Sequence, residues 1–427
     1  ISGGLDSHVL LHCLASLCKD KNRLVAVHID HELHQDSNNW ARHCLASAAA
    51  IGVAATVMTI DERPSAGENV ESWGRRQRYA LLASVMSDSD VVLTAHHRDD
   101  VAETFLLQLF RGAGPHGLSS IVAQQPFGRG SLVRPLLNFS QDEIKDYAQL
   151  HNLRWIEDPS NSTDKYNRNF LRHRVLPLIE ERWTAVTARI AHAVKLQQEA
   201  ASVLDEVADA IVEPLTSRDR SQMAVAAFDG LDEVMQRLVL RRWIVRARFP
   251  IPDTVHLKEM LTLLRARPDA QPCVRWKGVD LRRYRGTLYL QWSHTRALDD
   301  GSYQWDLRFP LALSAGQLTA VAAIGQGLSK VITRQQGVVV RFRRGGERCQ
   351  PLDRSHSQTL KRLFQEWGVP TWRRSETPLV FIGDELAAVA DICICRPFAA
   401  AVNEPGWTLS WRRTVIPGNS INSEHNR

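Results

Sequence analysis

The sequence lacks several things. Its seven cysteines include no Cys-x-x-Cys pair, which removes the usual zinc ribbon and dithiol redox motifs. Cys393 and Cys395 are two apart inside "AAVADICIC" and read as small core residues of a buried strand. Unpaired thiol usage of this kind fits a reducing cytoplasm. Long apolar runs are missing too, so no membrane-spanning segment is expected. The chain shows no internal repeat and no low-complexity tract. It also has no Gly-Lys-Ser/Thr, so the common phosphate-binding loop is excluded. Aromatics make up only 7% of its 427 residues, against 44% hydrophobic and 23% charged. That is an ordinary globular composition, with length for two to four domains.

Acidic charge is scarce in two stretches. Residues 237–296 hold 14 Arg and Lys against 4 Asp and Glu, and residues 334–374 hold 10 against 3. The whole chain carries +6, so everything outside these stretches is net acidic. Basic charge gathered in the C-terminal half points to a polyanionic partner.

What is present begins with "ISGGLDSHVL". Two glycines remove two Cβ atoms, so backbone can approach a bulky anion. Ser2 and Ser7 offer hydroxyls, and Asp6 offers a carboxylate suited to Mg²⁺. Apolar residues then recur at helical spacing, so a glycine loop runs into a helix N-terminus, which favours phosphate. The strand that normally aims such a loop is reduced to Ile1, so the first strand is expected to be truncated.

Strand and helix patterns alternate onward: "LVAVHI" (24–29), a helix over 37–51, "VAATVMTI" (53–60), a helix from Asn69 to Met86, "DVVLTAHH" (90–97) and a helix over 99–110. "SQDE" (140–143) is a capping box that starts another helix. This pattern predicts a doubly wound α/β fold with a mainly parallel sheet over 1–184, whose ligands sit at the carboxyl ends of the strands. An Ala-rich connecting helix is expected over 185–212, stopped by Pro214. A basic, mainly helical domain follows at 213–296, then a small α+β domain at 300–415 and a disordered tail at 416–427.

"TAHHRDDVAETFLLQLFRGAG" (94–114) is the second polar constellation. Asp100, Glu103 and Thr104 lie at i, i+3 and i+4, so they share a helix face. His96, His97, Asp99 and Asp100 crowd the junction before it. The run lacks the dispersed partners of a closed zinc site. It reads either as a polar wall facing the glycine loop, or as Asp99 capping the helix with the histidines packed.

Together the two motifs resemble the PP-loop ATP-pyrophosphatase superfamily, and "HHRDDVAET" resembles its tRNA-modifying branch. "ENVESWGRRQRY" (68–79), "RGAGPHGLSS" (111–120), "RPLL" (134–137), "LRWIEDPSNSTDKYNRNFLRHRVLPLI" (153–179) and "TLKRLFQEWGVPTWRRSETPLVFIGDELAAVADI" (359–392) are similar to tRNA(Ile)-lysidine synthetases over nearly the whole chain. The resemblance implies that Ser2, Gly3, Gly4, Leu5, Asp6 and Ser7 bind ATP phosphates, with Asp6 on Mg²⁺. It implies that residues 27–34 lie near the adenosine, that Asp100 and Glu103 grip lysine, and that Arg75 and Arg168 stabilise phosphate or orient the base. It implies ligation of lysine to the wobble cytidine of CAU-anticodon tRNA(Ile), through an adenylated cytidine, with AMP and pyrophosphate as products. A cytoplasmic and often homodimeric enzyme is implied as well. On the residues alone, Arg75 and Arg78 also read as surface charges, and Arg168 and Arg172 as pins for the preceding loop through Glu157 or Asp158. The competing activity is a PP-loop tRNA thiolase acting on cytidine or uridine.

Overall fold

β-branched runs separated by helical stretches can close parallel strand pairs only through crossover helices, and the first half of the chain does this. The computed structural model describes residues 1–32, 34–65, 67, 70–157, 163–164, 166–217, 220–267, 270–293 and 300–413. The chain divides into two compact units, one over Ile1–Ala210 and one beginning at Ile211.

In the first unit the strand β1 (Val25–Asp30) pairs parallel with β2 (Ala54–Thr59), in register from Val25–Ala54 to Asp30–Thr59. The crossover is helix α2 (Ser37–Ala50). A second parallel pair joins β3 (Val91–Leu93) to β5 (Gly130–Val133), and β4 (Gln124–Phe127) runs antiparallel to β5. Helix α1 (Leu5–Leu17) follows the glycine loop and buries two faces. Val9 and Leu10 pack with Leu136, Ile144 and Ala148, while Leu11 and Ala15 pack with Ala26, Ala48 and Val53. A helix clamped on both sides holds the loop before it in place. The Ile1 ammonium donates to the Val27 carbonyl of β1 at 2.6 Å.

Four further helices complete the frame around the site: α3 (Val70–Ser84), α4 (Arg98–Phe110), α5 (Pro115–Leu118) and α6 (Gln141–Leu150). The expected capping box starts α6: Ser140 Oγ accepts from the Glu143 N–H, and the Glu143 carboxylate accepts from the Ser140 N–H at 2.7 Å. The Asn69 cap expected for α3 lies outside the described residues. The long helix spans Val186–Leu215, with Pro214 inside its final turn. Proline removes one N–H and clashes with the preceding turn, so the helix ends one residue beyond it.

The first part of the second unit joins its helices to a sheet. Helices Glu233–Arg246 and Thr254–Leu264 pack on a four-stranded antiparallel sheet, in the order Gln222–Ala224, Thr287–Trp292, Val279–Tyr284 and Cys273–Trp276. One core contains both layers, with Leu240, Trp243, Ile244 and Met260 from the helices against Leu281 and Leu288 from the sheet. Two helices alone leave an apolar stripe uncovered, and the sheet covers it. The second part, from 302, has the α+β character read from the sequence. A five-stranded and a four-stranded antiparallel sheet surround helix Leu360–Glu366, whose Leu360, Leu363 and Phe364 are fully buried. Gly368 takes φ +68° just beyond it, the left-handed C-terminal stop that glycine allows. The expected tail lies outside the described residues. No described helix is long and apolar enough to cross a membrane.

Candidate active site

The glycine loop needs glycine at Gly3 for its backbone: the positive φ there is one that residues with a Cβ rarely adopt. Gly3 takes φ +94°, and a Cβ there would meet Ile156 Cδ1 at 3.4 Å and Cys44 Sγ at 3.5 Å. The Ile156 N–H donates to the Gly3 carbonyl at 2.9 Å. Ser7 Oγ donates to the Gly4 carbonyl at 2.9 Å, and Ser2 Oγ lies 3.1 Å from Ser7 Oγ. Gly4 is the N-cap of α1 and offers no side chain. Backbone N–H groups and two hydroxyls therefore line the loop.

Asp6 stands in the first turn of α1. Its Oδ1 is buried and has no hydrogen-bond partner. Burial pushes its carboxyl pKa upward, against the pull of His97. A buried carboxylate oxygen with no hydrogen-bond partner, in the first turn after a glycine loop, is the donor a hard cation takes. The residues present therefore fit Mg²⁺ with Asp6 as its protein ligand.

His97 joins this loop to the second motif. It is buried at the N-cap of α4, where Asp100 Oδ2 accepts from the His97 N–H at 3.0 Å and the Asp99 N–H reaches His97 Nδ1 at 3.3 Å. Its Nε2 lies 3.8 Å from Asp6 Oδ2 and 3.6 Å from Asp100 Oδ2. Burial pulls the imidazole pKa down, but Asp99, Asp100 and Asp6 outweigh it and the net shift is upward. The helix is thus capped by His97, not by Asp99. Asp99 Oδ2 instead accepts from the Gln141 N–H at 2.7 Å and ties α4 to α6.

The shared face of Asp100, Glu103 and Thr104 exists, and arginine occupies it. Arg168, on helix α7 (Asn167–Phe170), donates through Nε to Glu103 Oε2 at 2.7 Å and through Nη2 to Thr104 Oγ1 at 3.2 Å and Asp100 Oδ1 at 3.3 Å. Arg172 sits in the π-helical turn Leu171–Val175 and donates through Nε to Glu103 Oε1 at 2.6 Å. Its Nη2 donates to Glu103 Oε2 at 3.1 Å. Glu103 is fully buried, whereas the Asp100 side chain keeps 14% exposure. Burial raises the Asp100 pKa, but His97 and Arg168 outweigh it and hold the group a carboxylate. The two arginines therefore reach back to α4, and among the described residues neither bonds Glu157; Asp158 lies outside them.

Arg75 stands on α3 with its guanidinium 5.0 Å from the Tyr79 ring centre. His96 bonds Thr94 Oγ1 through Nδ1 at 3.0 Å. Burial, joined by Arg75, Arg134 and Arg168 and opposed by Asp100, pulls its pKa down to about 3. Along 27–34, His28 Nδ1 meets the Ile1 carbonyl at 3.0 Å and Asp30 Oδ1 accepts from the Glu32 N–H at 2.8 Å; Leu33 lies outside the described residues. Sequence reasoning placed His97 in a polar wall facing the loop, but it read Arg172 only as a pin for the preceding loop and missed its bond to Glu103. The i, i+4 spacing of Arg168 and Arg172 was the available signal for that bond.

Three family models match the chain: a PP-loop domain over residues 1–179, a TilS substrate binding domain over 223–289 and a TilS substrate C-terminal domain over 338–411. The chain is 40% identical to a tRNA(Ile)-lysidine synthase of Coxiella burnetii, over 96% of this chain and 91% of the relative. It is 37% identical to one from Alkalilimnicola ehrlichii, with the same two coverages. A Legionella pneumophila relative of the same name is 37% identical over 96% of this chain and 94% of its own. An orphaned Asp6 on a glycine loop, bridged through His97 to the acidic face of α4, lies within the span of the matched PP-loop domain. On these grounds the chain belongs to the tRNA(Ile)-lysidine synthase family.

Proposed function

We propose that the chain joins L-lysine to C2 of the wobble cytidine in CAU-anticodon tRNA(Ile), through an adenylated cytidine, with release of pyrophosphate and then AMP. It is an ATP-using ligase by family. The observation that carries the site assignment is the His97 bridge between Asp6 and Asp100, because it joins a nucleotide loop to a carboxylate able to hold an ammonium.

Ser2, Gly3, Gly4, Leu5 and Ser7 cradle the ATP phosphates. Asp6 would hold Mg²⁺, which neutralises charge on the phosphates when bound there. The cytidine O2 attacks the α-phosphorus and pyrophosphate leaves. This turns a poor leaving group into AMP. The lysine ε-ammonium gives a proton to the carboxylate facing it, and its neutral nitrogen then bonds to C2 as the C2–O bond breaks and AMP departs. Donors already in place stabilise such charge best, and Arg168 is held in place by three acceptors. Asp100 faces the lysine ammonium. Glu103 has both oxygens committed to arginine, so it positions Arg168 and Arg172 and leaves the substrate to Asp100. Arg75 supplies a further cation on α3.

The cytidine must leave its stack to reach this site. The basic stretches 237–296 and 334–374 hold the tRNA body through phosphate contacts, which give affinity more than sequence choice. The cytoplasm is the compartment proposed, and a homodimer the assembly that the family resemblance implies. For the thiolase reading, the thiol nearest the loop is unsuited. Cys44 is fully buried and burial pushes its pKa up to about 11, so it is no ready thiolate.

The test uses ATP, Mg²⁺, labelled lysine and a CAU transcript. Label should enter acid-insoluble RNA and vanish when the wobble C is changed to U. AMP release without lysine incorporation would overturn the assignment.

A further inference from the structure

Arg134 is a buried guanidinium with no carboxylate beside it. It directly follows β5, and the Thr94 N–H donates to the adjoining Val133 carbonyl at 3.1 Å. Arg134 and Thr94 therefore share the carboxyl ends of two parallel strands, where ligands of this fold bind. Arg134 is 5% exposed. One Nη donates to the Val122 carbonyl at 2.7 Å, and Tyr79 is near enough to favour the Arg134 charge. The Arg134 Nε has no hydrogen-bond partner. The ring of the same Tyr79 lies under the Arg75 guanidinium. Tyr79 thus has one cation on its face, and Arg134 feels both Tyr79 and Arg75. Among the described residues no ion pair joins either arginine to Asp or Glu.

A buried guanidinium without an anion is costly, and a second cation beside it adds to that. Burial, with Arg75 acting in the same direction, already lowers the Arg134 pKa against the pull of Tyr79. Such a pair is stabilised when an anion arrives. The choice of anion follows from place: His96 bonds Thr94 Oγ1 at the same strand ends through Nδ1 at 3.0 Å, and Asp100 stands in the first turn of the helix that His97 then caps. A phosphate would use only the cations. A free amino acid has a carboxylate for the arginines and an ammonium for Asp100.

We propose that Arg134, together with Arg75, binds the α-carboxylate of the amino-acid substrate while Asp100 faces its ammonium. This rests on the lysine-transfer reading and names the groups that select a free amino acid over a simple amine.

The test compares lysine with lysinamide, in which the carboxylate is replaced by a neutral amide, as substrates of the full chain with ATP, Mg²⁺ and the CAU transcript. Wild type should prefer lysine by on the order of 10- to 100-fold in kcat/KM, the range of a charge-assisted hydrogen-bond pair. Arg134→Gln should bring lysine down to the lysinamide level, with KM for ATP and for the transcript unchanged. Arg75→Gln, at an exposed position, tests the same ratio where loss of the buried arginine disrupts folding. Equal use of the two substrates by wild type would overturn the proposal. So would a full preference for lysine in both variants. A rise in transcript KM alone would reassign the arginines to a tRNA phosphate. Absence of any lysine transfer by wild type would instead sink the function reading, which separates the two failures.

Discussion

Arg172 Nε lies 2.6 Å from Glu103 Oε1, while Arg168 Nε takes Glu103 Oε2 at 2.7 Å. One fully buried carboxylate thus anchors two arginines that come from 65 and 69 residues away. Glu103→Ala should destabilise the first unit by about 3 kcal/mol, the low end for breaking a buried pair, because both arginines stay partly exposed. A urea melt followed by circular dichroism measures this. Glu103→Gln should lower AMP formation and lysine transfer together, since the arginines lose their anchor. A rise in lysine KM alone would return Glu103 to direct substrate contact.

Asp6→Asn should slow pyrophosphate release by on the order of 100-fold or more, as expected when a preorganised charge contact to the reacting phosphate is removed. Transcript affinity, measured by filter binding, should stay nearly constant because the basic stretches lie elsewhere in the chain. Gly3→Ala should give the same pattern for a backbone reason, because φ +94° strains any residue that carries a Cβ. Pyrophosphate release at the wild-type rate in Asp6→Asn would remove the phosphate loop from the mechanism.

His31 gives a pH dependence with a defined sign. Burial, aided by Arg78 at 3.3 Å from Nε2, lowers its pKa to about 4. The unfolded chain binds the proton near pH 6.5 and the folded chain only near 4, so between these values unfolding takes up protons. Stability contributed by neutral His31 is therefore lost as pH falls from about 6.5 towards 4. Wild type should lose more melting temperature between pH 7.5 and 5 than His31→Gln. Parallel pH profiles would show that His31 titrates normally.

Trp372 links the two parts of the second unit. It stands in the short helix Thr371–Arg374, edge-on to Tyr284 and Tyr289 at 6.1 and 5.7 Å, with the Arg282 guanidinium 5.1 Å from its ring. Trp372→Ala should reduce stability by about 2 kcal/mol, from two aromatic pairs and a cation–π contact. Denaturant unfolding of the full chain provides the number. A change below about 0.5 kcal/mol, the level of an ordinary surface substitution, would mean the junction is held by other contacts.

Sequence alone determined what depends on neighbours a few positions away. The glycine loop before α1, the Ser140–Glu143 capping box and the shared face of Asp100, Glu103 and Thr104 are all local, set by backbone sterics and the helical repeat. Motif resemblance over most of the chain was legible for the same reason. Tertiary structure alone decided partners. Nothing near Glu103 in sequence announces that arginines beyond the next strands will take both its oxygens. Nor does "RPLL" show that Arg134 ends buried beside Tyr79 without an anion. Charge pairing and burial depend on distances in space, and those arise only when the chain has folded.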